Sequence, residues 1–427
     1  MDKHFLFRGS CSLNYMLSGL YIYYVSQLMH DYIFTESKMF TRIFTLFGAL
    51  LFVYGLLITR KTYSGCDENI RINYKVFVVI CIFNVLIGVP SLLFQDRAIE
   101  ILASNLIWMF IMGFVVLLPF EDEDVCIVIR WALIYVITSL LFSLLFFRDL
   151  YVNPAELFAT MVGWQAEVVN KPQEPGMMLI PVSAFMILYH FISRRWKVLI
   201  ILSFILAVLA GLMGGRRGGT SIILGLMSLP FIVLGMVHLK KTMVYFFFVV
   251  TIVISAILIM PSNKSEEFVD TYFSVLAGRA TTDTRSEAED DFYEDFTNPV
   301  DWLIGRGAGG TFYSPALSWI DKLNRDIIET GYLNIILHAG LIMLIPYLIL
   351  LVYAFYCGFF KSNSLFLKGC AAYVIFHLFM LYPGGHIRLS LQFFILFMYI
   401  RLCISEKWRN RTDDDIKRIA IDVWGNK

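Results

Sequence analysis

Apolar runs recur along almost the whole chain. Their spacing predicts transmembrane helices over 12–30, 40–58, 76–94, 99–119, 125–147, 176–193, 198–214, 219–238, 242–260, 332–356, 366–382 and 389–405. Each run is near the length of about 20 residues that crosses a hydrocarbon core, where every backbone polar group must be bonded within the segment. The predicted fold class is all-α, a polytopic integral membrane protein of about 12 spans forming one transmembrane domain over 1–427. A polar interval at 261–331 lies between the ninth and tenth spans and far exceeds the usual connection of about 4–6 residues, so it reads as a large functional loop within that domain. A polar tail follows over 406–427. The start, Met1 to Arg8, is short and basic, and the apolar run after it lacks a small-residue cleavage signature, which predicts a retained first helix. Neither an internal repeat nor a low-complexity tract stands out.

Composition supports this reading. The 427 residues are 58% hydrophobic and 16% charged, with mean hydropathy +0.69, against about one-quarter charged in a soluble domain. A separate soluble domain is excluded. Net charge is only +1, yet Pro261 to Thr330 holds 14 acidic and 6 basic residues, so −8 falls there and +9 elsewhere. The loop is therefore solvated, and its acidity argues against a nucleic-acid partner, which needs a basic patch. Seven cysteines (Cys11, Cys66, Cys81, Cys126, Cys357, Cys370, Cys403) form no CxxC pair and none lies in the acidic loop, so neither a disulfide framework nor a zinc site is indicated.

Lys and Arg favour cytoplasmic loops. With both termini inside, short inner loops collect Arg60, Lys61, Arg71 and Lys75; Arg194, Arg195 and Lys197; Lys240 and Lys241; and Lys361 and Lys368. The tail adds Lys407, Arg409, Arg411, Lys417 and Arg418. One inner loop, Glu121-Asp122-Glu123-Asp124, has no cation. Arg42 and Arg130 fall inside spans but within about two turns of an end, where they can snorkel. The same threading puts Tyr151–Pro175, the turn Gly214–Gly219, the acidic loop and Gly384–Arg388 on the outer side. Tyr293, Trp302, Phe312, Tyr313 and Trp319 speak for an ordered loop, and its apolar positions over 315–330 predict a short amphipathic helix on the membrane surface.

Several residues are candidates for chemistry. Arg216 and Arg217 sit among four glycines at an outer helix joint, against the positive-inside tendency. Guanidinium binds phosphate bidentately and glycines admit a large anion to the backbone, so the pair reads as an anion clamp; the alternative is a tight turn whose arginines reach lipid headgroups. Glu329 stands where the acidic loop enters the tenth span, where partial desolvation would raise its pKa and make it a proton acceptor; the alternative is an acid favoured by a helix N-terminus. Arg306, in Leu303-Ile304-Gly305-Arg306-Gly307, reads equally as a phosphate contact or part of a tight turn. Arg285 is a solvated or paired charge or a substrate contact, and His386 and Arg388 face either the same outer cavity or headgroups. His338 and His377 lie within spans; on a continuous helix His338 faces away from Glu329, so both are assigned to helix packing. No Asp-rich metal motif or Walker lysine occurs, so the expectation is chemistry without metal or cofactor.

With these residues in place, the chain resembles the O-antigen polymerase and ligase superfamily. The similarity lies in architecture over most of the chain and in short motifs: Gly215-Arg216-Arg217-Gly218-Gly219 opening an apolar helix, Thr284-Arg285, Leu303-Ile304-Gly305-Arg306-Gly307, and Glu329-Thr330-Gly331-Tyr332-Leu333-Asn334 followed by Gly340-Leu341. The resemblance implies a glycosyltransferase in a bacterial inner membrane. It would move a growing glycan from undecaprenyl pyrophosphate onto an incoming lipid-linked repeat at the periplasmic face, in O-antigen, capsule or exopolysaccharide synthesis. Membrane lipids and a chain-length regulator protein are the implied partners. Catalytic roles fall to Glu329, Arg217 and Arg216, and substrate contacts to Arg285, Arg306, His386 and Arg388. Ligases of the group carry a histidine ahead of the glycine equivalent to Gly340; Glu329 stands in its place, which favours a polymerase over a ligase. A flippase for the same lipid-linked sugar is the rival of another class, and repeated halves with midplane charges are its expected marks.

Overall fold

The structure is a computed structural model that describes residues 11–32, 38–59, 111–146, 198, 202, 284–307, 309–315, 323–382 and 389–424. The described part is mostly helical, with one two-stranded ribbon. The expected spans 76–94, 176–193, 219–238 and 242–260, the first part of 99–119 and almost all of 198–214 lie outside the described residues.

Helices α1 (Cys11–Tyr32) and α2 (Lys38–Thr59) form a close antiparallel pair. Two glycines set their distance. A Cβ on Gly19 would stand 2.6 Å from Gly48 O, and one on Gly48 would stand 2.6 Å from Tyr23 N, the small-residue packing that lets apolar helices touch through their backbones. Ser26 Oγ donates to Thr41 O at 2.7 Å across the same contact. The opposite face of α2 exposes Ile43, Leu46, Phe47, Leu50, Tyr54 and Leu57.

A 3-10 turn at Phe114–Leu117 ends where Leu118 turns extended before Pro119. Helix α3 (Asp122–Phe146) follows, with three acids in its first turn. Arg130 does not snorkel to the surface: it is 5% exposed. Arg42 is exposed.

The last three expected spans are α6 (Gly331–Phe360), α7 (Leu365–Met380) and α8 (Leu391–Ile404). Between α3 and α6 come α4 (Thr284–Asp295), α5 (Pro299–Ile304), β1 (Phe312–Tyr313) and β2 (Asn324–Arg325). Ser364 and Ser390 start α7 and α8 by accepting from Leu367 N and Phe393 N, which satisfies a first-turn donor in each. Helix α6 is apolar all round: Tyr347, Leu351 and Ala354 face the core while Ile345, Ile349, Val352, Tyr356 and Phe360 are exposed, a pattern that suits a membrane span. Three described segments, Thr41–Thr59, Asp122–Phe142 and Gly331–Phe360, are long and apolar enough to cross a membrane. In the core His377 lies between Tyr347 (6.4 Å between ring centroids) and Phe393 (5.6 Å), so it packs between helices as expected. Cys126, Cys357, Cys370 and Cys403 are buried, and each is a free thiol, as is exposed Cys11.

The two ends of the α6–α8 bundle differ in chemistry. At one end the tail, α9 (Glu406–Arg409) and α10 (Asp413–Trp424), folds back on its neighbours. Asp413 Oδ1 accepts from Leu365 N at 2.8 Å, Arg409 O from Asn363 N at 3.0 Å, and Phe120 O from Trp408 Nε1 at 3.1 Å. Here the cation-free stretch Glu121–Asp124 finds its counter-charges, Lys407 on Glu121 at 2.7 Å and Arg411 on Asp122. At the other end Gly331 N donates to Leu381 O at 2.7 Å and the acidic loop caps the bundle.

Candidate functional site

The described part of the acidic loop is a folded cap, and α4 is its frame. The end of α4 is aromatic: Phe292 and Phe296, the residue just past the helix, stack at 4.5 Å and pack edge-on against Trp302 (6.0 and 5.5 Å), with Phe312 of β1 5.5 Å from Phe292. Phe292, Phe296 and Phe312 are fully buried. The acids of α4 fasten the cap. Asp291 accepts from Ser314 Oγ at 2.7 Å, Glu289 accepts from Thr330 Oγ1, and Asp295 holds Arg306.

Arg306 is the central tie. Its Nε donates to Asp301 at 2.8 Å, its Nη1 to Asp295 and to Thr311 O at 2.7 Å, its Nη2 to Asp295 O at 2.9 Å, and its guanidinium lies 4.6 Å from the Phe296 ring centre. Burial works against the charge, but the hydrogen bonds from Asp295 and Asp301 outweigh it and raise its pKa further. Four of its five N–H donors thus serve the turn.

The turn meets a break in the span. Gly305 (φ 74, ψ −178) and Gly340 (φ 67, ψ −176) both occupy a backbone region essentially reserved for glycine. They face one another. A Cβ on Gly305 would lie 2.5 Å from Ala339 N and 2.8 Å from Gly340 N, and one on Gly340 would lie 2.5 Å from Ile304 N and closer still to Leu303 O. A broken helix leaves carbonyls of the preceding turn without their partners, and Arg306 N takes one of them, Leu337 O, at 2.7 Å. His338, 4% exposed, sets Nδ1 3.0 Å from Gly307 O and Nε2 3.0 Å from Asp326 O, tying the glycine turn to the end of β2. It is a loop anchor rather than a helix-packing residue, because its ring nitrogens meet carbonyls of the loop, Gly307 O and Asp326 O.

The expected amphipathic helix over 315–330 does not form in its described part. Asn324–Arg325 pairs antiparallel with Phe312–Tyr313, and Ser314 N donates to Leu323 O at 2.8 Å. Residues 316–322 lie outside the described part. Thr330, the residue before α6, has extended backbone (φ −75, ψ 108). Ile328 and Thr330 are buried; Glu329 between them is exposed rather than desolvated. It lies ahead of the helix N-terminus, one residue from the Thr330–Glu289 contact.

Of the other candidates, Arg285 lies in the first turn of α4, its side chain outside the described part; Arg216, Arg217, His386 and Arg388 also lie outside it. The structure therefore brings together Arg306 and the two glycines, Gly305 and Gly340, while Glu329 lies ahead of α6 on an exposed position. His338 is the participant that sequence reading assigned elsewhere. Among the described residues no three His, Cys, Asp or Glu gather as metal ligands. No protein family, no curated protein and no solved structure matches the chain.

Proposed function

We propose that this chain is a polysaccharide polymerase of about 12 spans, set in a bacterial inner membrane with both termini cytoplasmic and its acidic cap in the periplasm. The cap and the tail lie at opposite ends of the α6–α8 bundle, and the tail end carries Lys361, Lys368, Lys407, Arg409, Arg411, Lys417 and Arg418, as the positive-inside tendency asks of a cytoplasmic face. The observation that carries the reading is the Gly305–Gly340 contact. Gly305 and Gly340, from the two motifs that resemble the polymerase superfamily, meet at one point, and Glu329, ahead of the helix that leads to Gly340, is exposed.

In this mechanism Glu329 takes the proton from an acceptor-sugar hydroxyl. The resulting oxygen attacks the anomeric carbon of the donor glycan, and the bond from that carbon to the pyrophosphate oxygen breaks. The leaving undecaprenyl pyrophosphate keeps the bonding pair, and Arg216 and Arg217 compensate its charge. The Glu329 carboxyl then returns its proton to solvent. Arg306, His338 and Gly340 hold the cap in place. A chain-length regulator in the same membrane is the expected protein partner.

The test is deletion of the gene followed by electrophoresis of surface glycan. A ladder collapsed to a single repeat supports a polymerase. Finished lipid-linked polymer that is never transferred indicates a ligase, and repeats stranded on the inner leaflet indicate a flippase; either overturns the proposal.

A further inference from the structure

The acidic cap carries an aromatic surface that its own packing leaves uncovered. Tyr293 and Trp302 are nearly parallel, 11° apart with ring centres at 6.1 Å, and Tyr293 is 51% exposed although its neighbours Phe292 and Phe296 are buried. The Trp302 indole N–H is spent on Phe296 O, so what Trp302 adds to this surface is ring. Tyr382, at the end of α7 and 59% exposed, lies close enough for its phenol to act on that of Tyr293, as do the carboxylates of Glu289 and Asp290. Burial first, and those groups after it, push the Tyr293 phenol up, so its hydroxyl stays a neutral donor and acceptor. Glu289 also accepts from Thr330, the neighbour of Glu329.

We propose that Tyr293 and Trp302, rimmed by Tyr382, Glu289 and Asp290, form the subsite that binds an uncharged or amino sugar of the acceptor repeat next to Glu329. The proposal rests on the polymerase reading and specifies its substrate. A pyranose presents C–H groups on one face, which suit the negative face of an aromatic ring, while its edge carries hydroxyls that donate to carboxylates. Aromatic side chains with a few placed polar groups that fix orientation are the usual lining of a small-ligand site. Six of the twelve residues of α4 are acidic, and that field opposes both an anionic lipid surface and an anionic sugar, so aromatic contact with phospholipid headgroups is the weaker reading.

The test uses the full chain in nanodiscs with lipid-linked repeat extracted from the deletion strain, and with the water-soluble oligosaccharide released from that repeat by mild acid. Tyr293→Ser should raise the acceptor KM by roughly 3- to 10-fold with kcat and thermal midpoint unchanged, since a lost ring contact weakens ground-state binding. Tyr293→Phe, which keeps the ring, should stay near the wild-type KM. Tyr293→Ser elongating at wild-type KM overturns the subsite. So does a KM change that tracks a fall in thermal midpoint, or a loss confined to association with phosphatidylglycerol vesicles, which makes Tyr293 a headgroup contact. If the wild-type chain does not elongate the repeat, the polymerase reading fails by itself. Quenching of tryptophan fluorescence by the released oligosaccharide then decides the subsite separately: weakening by Tyr293→Ser upholds it, and an unaltered or absent response removes it.

Discussion

Gly340→Ala is the sharpest perturbation of the cap. At φ 67 and ψ −176 an alanine is strained by about 1–3 kcal/mol. Its Cβ would also sit 2.5 Å from Ile304 N, against an ordinary contact of about 3.5–4 Å, so α5 must withdraw by roughly 1 Å. That movement weakens the Arg306 N to Leu337 O bond, worth about 1 kcal/mol net. The cap should lose about 2–4 kcal/mol, and 2 kcal/mol alone raises its open population roughly 30-fold. Tryptic cleavage after Arg306, whose side chain is tied to Asp295 and Asp301 when the cap is closed, reads that population when opening is fast relative to cutting. The assay is the cleavage rate of the full chain in nanodiscs, with Gly305→Ala and the double variant alongside. Each single variant should be cut at least about 30-fold faster, and the double should cost less than the sum because the two residues share one contact. Cleavage of Gly340→Ala at the wild-type rate would refute the interlock.

Three further outcomes follow from the same geometry and mechanism. His338→Ala should remove the ring that bridges Gly307 O and Asp326 O, at about 1–3 kcal/mol for the hydrogen bond its imidazole N–H donates, and hydrogen exchange should speed up in 305–312 and 323–328 while α8 is unchanged. Arg217→Ala should slow chain growth by about 10²–10³, as for loss of one preorganised charge partner, with membrane insertion intact; a wild-type glycan ladder in the complemented deletion strain refutes it. Glu329→Gln should slow growth by about 10²–10⁴, and Glu329→His, able to accept a proton, should retain part of it on the same gel.

The helices were the legible part. The expected 12–30, 40–58, 125–147, 332–356, 366–382 and 389–405 fall on α1, α2, α3, α6, α7 and α8 within a few residues, and three of them, α2, α3 and α6, hold segments long and apolar enough to cross a membrane, because a run of apolar side chains needs no knowledge of its neighbours. The cap was harder to read because its order comes from contacts between distant positions. Phe292 and Phe296 carry helical spacing, but α4 is otherwise too polar to announce itself. The apolar positions over 315–330 predict a surface helix, although Asn324–Arg325 within them is the strand that pairs with β1. His338 was misassigned because glycine is common inside membrane helices, so nothing at Gly340 signalled a break.

The central claim is chain growth on a lipid carrier. It is tested most directly by adding purified protein in proteoliposomes to lipid-linked repeat extracted from the deletion strain, with both glycan length and released undecaprenyl pyrophosphate measured. The account predicts a lengthening ladder with one pyrophosphate carrier released per linkage formed, slowed by about 10²–10³ in Arg217→Ala. Repeats that cross the bilayer unjoined, or a folded protein that leaves the repeats at their starting length, would contradict it.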